Sequence, residues 1–161
     1  MEIVVRRVER GDVAAVADLL DGLVGELTAA RGGPEVLRDH LDLVRAAARG
    51  DLTLLGRDPT EPSDGRRLVV GTIDGVVVGM ASARYQLTTE GRRGVVDCCY
   101  VEPGARRVGV GEALLADVVG WLGRTGCDAV DAAVLPGRRD GKSLLEATGF
   151  KARLIVMHRP L

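Results

Sequence analysis

Val95-Val-Asp-Cys-Cys-Tyr-Val-Glu-Pro-Gly-Ala-Arg-Arg-Val-Gly-Val-Gly-Glu-Ala-Leu-Leu115 is the most informative stretch of this 161-residue chain. Val95 to Val101 reads as a strand, and Pro103 to Val108 as a turn. A helix follows from about Gly109 to Arg124, with an apolar stripe of Leu114, Leu115, Val118, Trp121 and Leu122. A helix N-terminus carries unpaired N–H donors and a partial positive charge. Gly109 and Gly111 let that backbone approach a pyrophosphate closely, and Arg106 and Arg107 add forked donors. Together they form an anion cradle. Three other readings compete with it. The first is a glycine-containing turn that binds nothing. The second is a dinucleotide fingerprint, but Leu114 stands where a third Gly or Ala belongs, and Gly109 lies eight residues past Val101. The third is a P-loop, whose Gly-Lys-Ser/Thr ending is missing.

Working outward, Ile3 to Val8 reads as a strand. Asp12 is placed to cap a helix carrying Val13, Val16, Leu20, Leu23, Val24 and Leu27 on one face. Gly32 and Gly33 break it. Pro34 opens a second helix with Leu37, Leu41, Val44 and Ala48, stopped by Gly50. Leu52 to Leu55 is a short strand or a helix end, and Arg57 to Arg66 is a loop. Leu68 to Ile73 and Val76 to Tyr85 flank Asp74-Gly75, a hairpin signal. Gln86 to Gly94 reads as a polar loop with a basic tip, Arg92-Arg93, which is a solvated tip or a steering patch for an acidic acceptor. Asp128 to Leu135 is a strand, Asp140 to Thr148 a helix closed by Gly149, and Phe150 to His158 a last strand. The order predicts a mixed, mainly antiparallel sheet flanked by four helices, in a single domain spanning 1–161.

Composition excludes several classes. Net charge is −1 and aromatics make up 2%, so neither electrostatic capture of nucleic acid or anionic membrane nor base stacking is indicated. Cys98, Cys99 and Cys127 have no metal-ligand spacing, and adjacent cysteines bridge poorly. The N-terminal apolar run is too short for a signal peptide, and no stretch approaches a membrane span. A reducing, cytoplasmic location is expected. Cys98 and Cys127 read as buried small apolar residues, His40 as a surface residue and His158 as structural.

Arg106-x-x-Gly109-x-Gly111, after Val101-Glu102-Pro103 and before Glu-Ala-Leu-Leu, resembles the R/Q-x-x-G-x-G/A element of the GNAT acyltransferases. Leu135-Pro-Gly-Arg-Arg-Asp-Gly-Lys-Ser-Leu-Leu-Glu-Ala-Thr-Gly149-Phe150 is similar to that family's C-terminal helix ending in Gly-Phe. The resemblance implies an α/β fold with a sheet of six to seven strands and two splayed central strands that admit a pantetheine arm. The implied co-substrate is acetyl-CoA or another acyl-CoA, with no metal, and the implied acceptor is a small-molecule or peptide amine. A homodimer is compatible with it. It places the cofactor on Cys99, Tyr100, Val101, Arg106, Arg107, Val108, Gly109, Val110, Gly111, Glu112 and Ser143.

The resemblance also implies chemistry. The backbone N–H of Cys99 would face the thioester oxygen, and Val101 would pair with the pantetheine amides. An alkylamine with a pKa near 10 is only about one part in a thousand neutral at pH 7, so a proton acceptor is needed. Asp97 is the choice, placed by strand alternation on the same face as Cys99. Its other reading is a carboxylate bonded to a neighbouring Arg or N–H, and Glu102 and Glu90 rank below it. Where the family often carries a Tyr that protonates the leaving thiolate, this chain has Leu145; Ser143 occupies the position of a frequent Asn. Ser143, then Tyr100 or water, is the expected donor. Cys99 as a covalent nucleophile lacks a His partner. The alternative function is a CoA-binding sensor on the same scaffold, no longer catalytic; a further one is an unrelated structural α/β domain.

Overall fold

The computed structural model describes residues 1–53 and 65–161. Five strands lie in the order β1-β2-β3-β4-β5: β1 Ile3–Arg7, β2 Arg66–Ile73, β3 Val76–Thr88, β4 Gly91–Val101 and β5 Cys127–Ala132. The first three pairings are antiparallel and β4–β5 is parallel. Among the described residues five α-helices accompany them: α1 Val13–Thr28, α2 Gly33–Asp39, α3 Asp42–Ala48, α4 Val110–Arg124 and α5 Arg139–Ala147.

Two apolar layers sandwich the sheet. On one face Val16, Leu20, Leu23, Leu41 and Val44 of the α1–α3 side meet Leu68, Val70, Met80, Cys98 and Tyr100. On the other, Val110, Leu114, Leu115, Val118 and Leu122 of α4 meet Val69, Val78, Ala81, Val96 and Val101, with Leu144, Leu145 and Phe150 alongside. The alternation of β2 and β3 between these two sets is the two-residue period of a strand buried on both sides. The predicted Asp74-Gly75 hairpin forms: both residues have positive φ, 48° and 84°, joining Ile73 to Val76.

Several boundaries differ from the sequence expectations. The sheet has five strands among the described residues, not six to seven. Residues 151–161 form no strand, and Leu154, Ile155, Val156 and Met157 face solvent. High β propensity makes a strand only where a neighbouring strand takes up the backbone hydrogen bonds. Here the tail is held by side chains instead. Arg153 bonds Asp131 through two nitrogens at 3.0 and 2.9 Å, and exposed His158 lies 3.6 Å from Glu35. The expected loop Gln86 to Gly94 is mostly ladder: β3 and β4 extend to Thr88 and from Gly91. Arg92 and Arg93 are therefore strand residues, not a solvated tip. Arg92 donates to Thr125 O at 2.6 Å and covers the Tyr85 ring at 4.9 Å, and Arg93 lies 3.6 Å from Asp131. Thr53 ends the first described segment, so most of the predicted Leu52 to Leu55 element and Arg57 to Arg66 loop lies outside the described residues.

The second predicted helix is two helices, which makes five in place of four. His40 (φ −126°) and Leu41 (φ −114°) leave helical geometry between α2 and α3. Neither is a helix breaker by type. The break drops Leu41 into the core, fully buried, and turns His40 toward β4. Tertiary packing overrides propensity here.

Asp12 does not cap α1 through its side chain. It is buried and accepts Arg6 Nη1 and Nη2 at 2.6 and 2.9 Å and the Glu9 N–H at 2.8 Å. The Arg6 hydrogen bonds hold its carboxyl below the ordinary aspartate value, against the upward push of burial. A depressed folded-state value stabilises above the unfolded value, near 3.9, and is lost as pH falls through the folded one. Asp12→Asn should therefore cost about 1–3 kcal/mol at neutral pH, and the difference from the parent should shrink below about pH 4. Urea denaturation at both pH values checks this; a pH-independent difference would contradict the assignment.

Candidate active site

The ladder between β4 and β5 runs from Arg92↔Cys127 to Val96↔Ala132 and stops there. β5 itself ends at Ala132, which leaves this edge of β4 unpaired beyond Val96, and Asp97 is the first residue of β4 past that fork. The same residue is a bulge on the other edge, where Ser82 pairs with Cys98 and Ala83 with Val96, so Asp97 has no partner in β3.

Which amides point into the gap follows from the antiparallel pattern. Glu102 N–H donates to Val78 O at 2.9 Å, which makes Glu102 and Val78 a hydrogen-bonded pair. Such pairs alternate, so Tyr100 and Cys98 also bond to β3, while the backbone groups of Cys99 and Val101 face outward. The Val101 carbonyl accepts Arg106 Nε at 2.8 Å. The N–H groups of Cys99 and Val101 line the open edge.

The bulge overturns one expectation. Asp97 and Cys99 are on opposite faces of the sheet, because the extra residue breaks the two-residue alternation. Cys99 sits against α4, its Sγ 3.9 Å from Gly111 O. Asp97 sits on the α1–α3 face. Its carboxylate is 2.8 Å from His40 Nδ1 and accepts Arg84 Nε at 3.0–3.1 Å. Of the two readings of Asp97 made above, the contact with an arginine is the one observed. His40, expected on the surface, is only a quarter exposed. No local signal announced it, because 57 residues separate the partners.

Next to the gap, α4 begins without a side-chain cap, after Arg107 (φ 66°) and Gly109 (φ 100°) in left-handed conformations. Its first-turn N–H groups are open to a ligand. Arg107 and Val108 are exposed, as is Glu112. Val110 is a buried plug against β2, so only its backbone is available. Gly111 is small for packing: a β-carbon there would lie 3.0 Å from Leu144.

Arg106 is not a free phosphate ligand. Besides Val101 O it bonds Glu26 of α1 and lies over the Tyr100 ring at 5.5 Å. Arg138, just before α5, bonds the same Glu26. Burial pushes the Glu26 carboxyl up, but the hydrogen bonds from Arg138 and Arg106 outweigh it and hold it below its ordinary value. One carboxylate thus ties α1 to both sides of the gap.

The expected thiolate donors are poorly placed. Ser143 is exposed, and α5 presents Leu144 and Leu145 to the α4 layer. Tyr100 points at α1, where a β-carbon on Gly22 would come 2.4 Å from its hydroxyl, and burial raises its pKa. Desolvation pushes the Cys99 thiol up to about 12 and the Cys98 thiol to about 11, so neither is an anionic nucleophile at neutral pH. Glu102 is exposed at the end of β4, and Glu90 is in the β3–β4 turn. Among the described residues no group of three or more His, Cys, Asp or Glu is arranged to hold a metal, and no helix is long and apolar enough to cross a membrane.

The unpaired edge of β4, with its outward amides, thus stands beside an uncapped helix N-terminus. The chain belongs to the acetyltransferase (GNAT) family, which it matches over residues 38–150. No curated protein matches it in sequence. The fold is that of AAC(6')-Iy, an aminoglycoside N-acetyltransferase solved with the bisubstrate analogue CoA-S-monomethyl-acetylneamine (TM-score 0.70, 17% identity, 100% of this chain and 99% of the other). It is also that of a ribosomal-protein-alanine N-acetyltransferase from Brucella melitensis biovar Abortus 2308 (0.68, 18%, 99% of each). A transcriptional regulator from Bacillus halodurans C-125 shares it too (0.69, 20%, 99% and 100%). At these identities the likeness is one of fold.

Proposed function

We propose that residues 1–161 act as one N-acyltransferase domain, moving an acetyl or other short acyl group from acyl-CoA to a primary amine on a small molecule or peptide. The observation that carries this is the fork at Asp97, which leaves the Cys99 and Val101 amides facing an open gap beside the uncapped start of α4. The first-turn amides of α4, with Arg107 as the nearby exposed guanidinium, suit a pyrophosphate. The Val101 N–H suits a pantetheine amide. The Cys99 N–H suits the thioester oxygen, where it stabilises charge that develops as the amine attacks. Arg106 holds this frame by clamping the end of β4 to α1.

The α4 face of the gap carries the anion cradle, and the α1–α3 face carries Asp97, His40 and Arg84. This supports entry of the two substrates from opposite faces and direct attack in a ternary complex. The leucines of α5 offer no proton to the departing sulfur, but a thiol with a pKa near 8.5 leaves tolerably as thiolate. That same absence favours a second reading, a CoA-binding module without turnover. Thiol release separates the two.

Acetyl-CoA at 100 times its Kd should stabilise the fold by ~2.7 kcal/mol. For a domain of this size that raises Tm by roughly 5–11 °C. Free CoA should act similarly, and NAD and ATP much less. No shift at millimolar acetyl-CoA would overturn both readings.

A further inference from the structure

We infer that His40 is the group that takes the amine proton, and that Asp97 is a positioning residue that holds it. The inference rests on the acyltransferase reading and revises the sequence-based choice of Asp97 as base.

Both oxygens of Asp97 are engaged, Oδ1 by His40 and Arg84 and Oδ2 by Arg84. Its side chain is only 10% exposed. A carboxylate so bound is already committed to two partners, and the imidazole it holds is the group left to meet an incoming amine. The same contact prepares His40. An ionised carboxylate only accepts hydrogen bonds, so Nδ1 of His40 must carry a proton toward it. In the neutral ring Nε2 then holds the lone pair, and it has no partner among the described residues. The geometry sets the tautomer that a base needs.

The position also fits. Asp97 is the first residue beyond the fork, two strand residues, or about 6–7 Å, from Cys99. His40 reaches it from the break between α2 and α3, so the loss of helix there is what delivers the imidazole. Around His40 stand Asp39, Asp42 of α3, Arg66 of β2 and Arg84 of β3, lining one recess with Asp97. In the step itself the amine nitrogen bonds to the acyl carbon and the C–S bond breaks. The sulfur leaves with that electron pair as thiolate. The N–H proton passes to His40 Nε2 and from there to solvent.

The test uses the full chain, His40→Gln and Asp97→Asn. Calorimetry gives the Kd of acetyl-CoA. Thiol release gives kcat/KM against pH with two amines, glycinamide and the side chain of Nα-acetyl-lysine methylamide. Nitrogen-15 NMR gives the His40 tautomer. His40→Gln should bind acetyl-CoA within twofold of the parent, lose about 10²–10⁴ in kcat, and lose the pH limb that the parent's profile shows. The parent should show the Nδ1–H tautomer, and Asp97→Asn should not hold it. If the parent binds acetyl-CoA and turns over, but His40→Gln keeps its rate and pH limb, the inference fails alone. If Asp97→Asn abolishes turnover while His40→Gln does not, Asp97 is the base. If the parent binds acetyl-CoA but releases no thiol with either amine, the acyltransferase reading falls and takes the inference with it.

Discussion

Leu114→Ala should unfold this protein far more easily, by about 3–5 kcal/mol, and lower Tm by roughly 6–20 °C. Leu114 is fully buried on the sheet-facing side of α4. Below it Gly71 of β2 and Gly79 of β3 are register partners, and β-carbons on them would lie 3.3 and 3.1 Å from Leu114 carbons. The pair of glycines makes a hollow and the leucine fills it. Truncation leaves a cavity that cannot collapse, because the glycines have no side chains to move and the backbone on both sides belongs to a ladder. Differential scanning calorimetry measures the loss. A cost below 1 kcal/mol would mean that α4 is not seated on the sheet in this way.

The second large effect falls on binding. Gly109→Val should weaken acetyl-CoA by about 10–100-fold, or about 1.4–2.8 kcal/mol, with a smaller change in the stability of the free protein. Gly109 has φ 100° at the entry to α4, a conformation that a β-branched residue resists at a cost of about 1–3 kcal/mol. The exposed turn can relieve that strain by shifting, and the first-turn amides shift with it. Calorimetric titration of the variant gives the answer. An unchanged Kd would show that these amides do not hold the pyrophosphate. Gly111 makes a contrast, since its smallness serves the approach of Leu144 and not a positive φ.

Much of this molecule was legible in local patterns. The apolar stripe of α4 and the Asp74-Gly75 hairpin between two β-rich runs are short-range signals, and each produced its element. The start of α4 was readable because glycines at 109 and 111 follow a strand and open a helix. Errors gathered where a neighbour decides. The tail from 151 has the composition of a strand, yet it is pinned by Arg153 to Asp131 and joins no ladder among the described residues. Arg92 and Arg93 looked like a loop tip because charge is common there, but β3 extended the ladder to meet them. Arg106 carried the family motif, yet its fork is taken by Val101 O and Glu26.

The sequence by itself determined the mixed α/β order, the helix N-terminus after the glycines and the family. The first two follow from periodicity and φ preference, which act over a few residues, and the family from the resemblance of two short motifs. Only the tertiary structure decided which face Asp97 occupies, where the sheet forks and that His40 stands on Asp97. A bulge depends on the register of two strands, and the helix break at His40 and Leu41 depends on a core that accepts Leu41. Both are set by contacts between segments tens of residues apart, and no local preference encodes them.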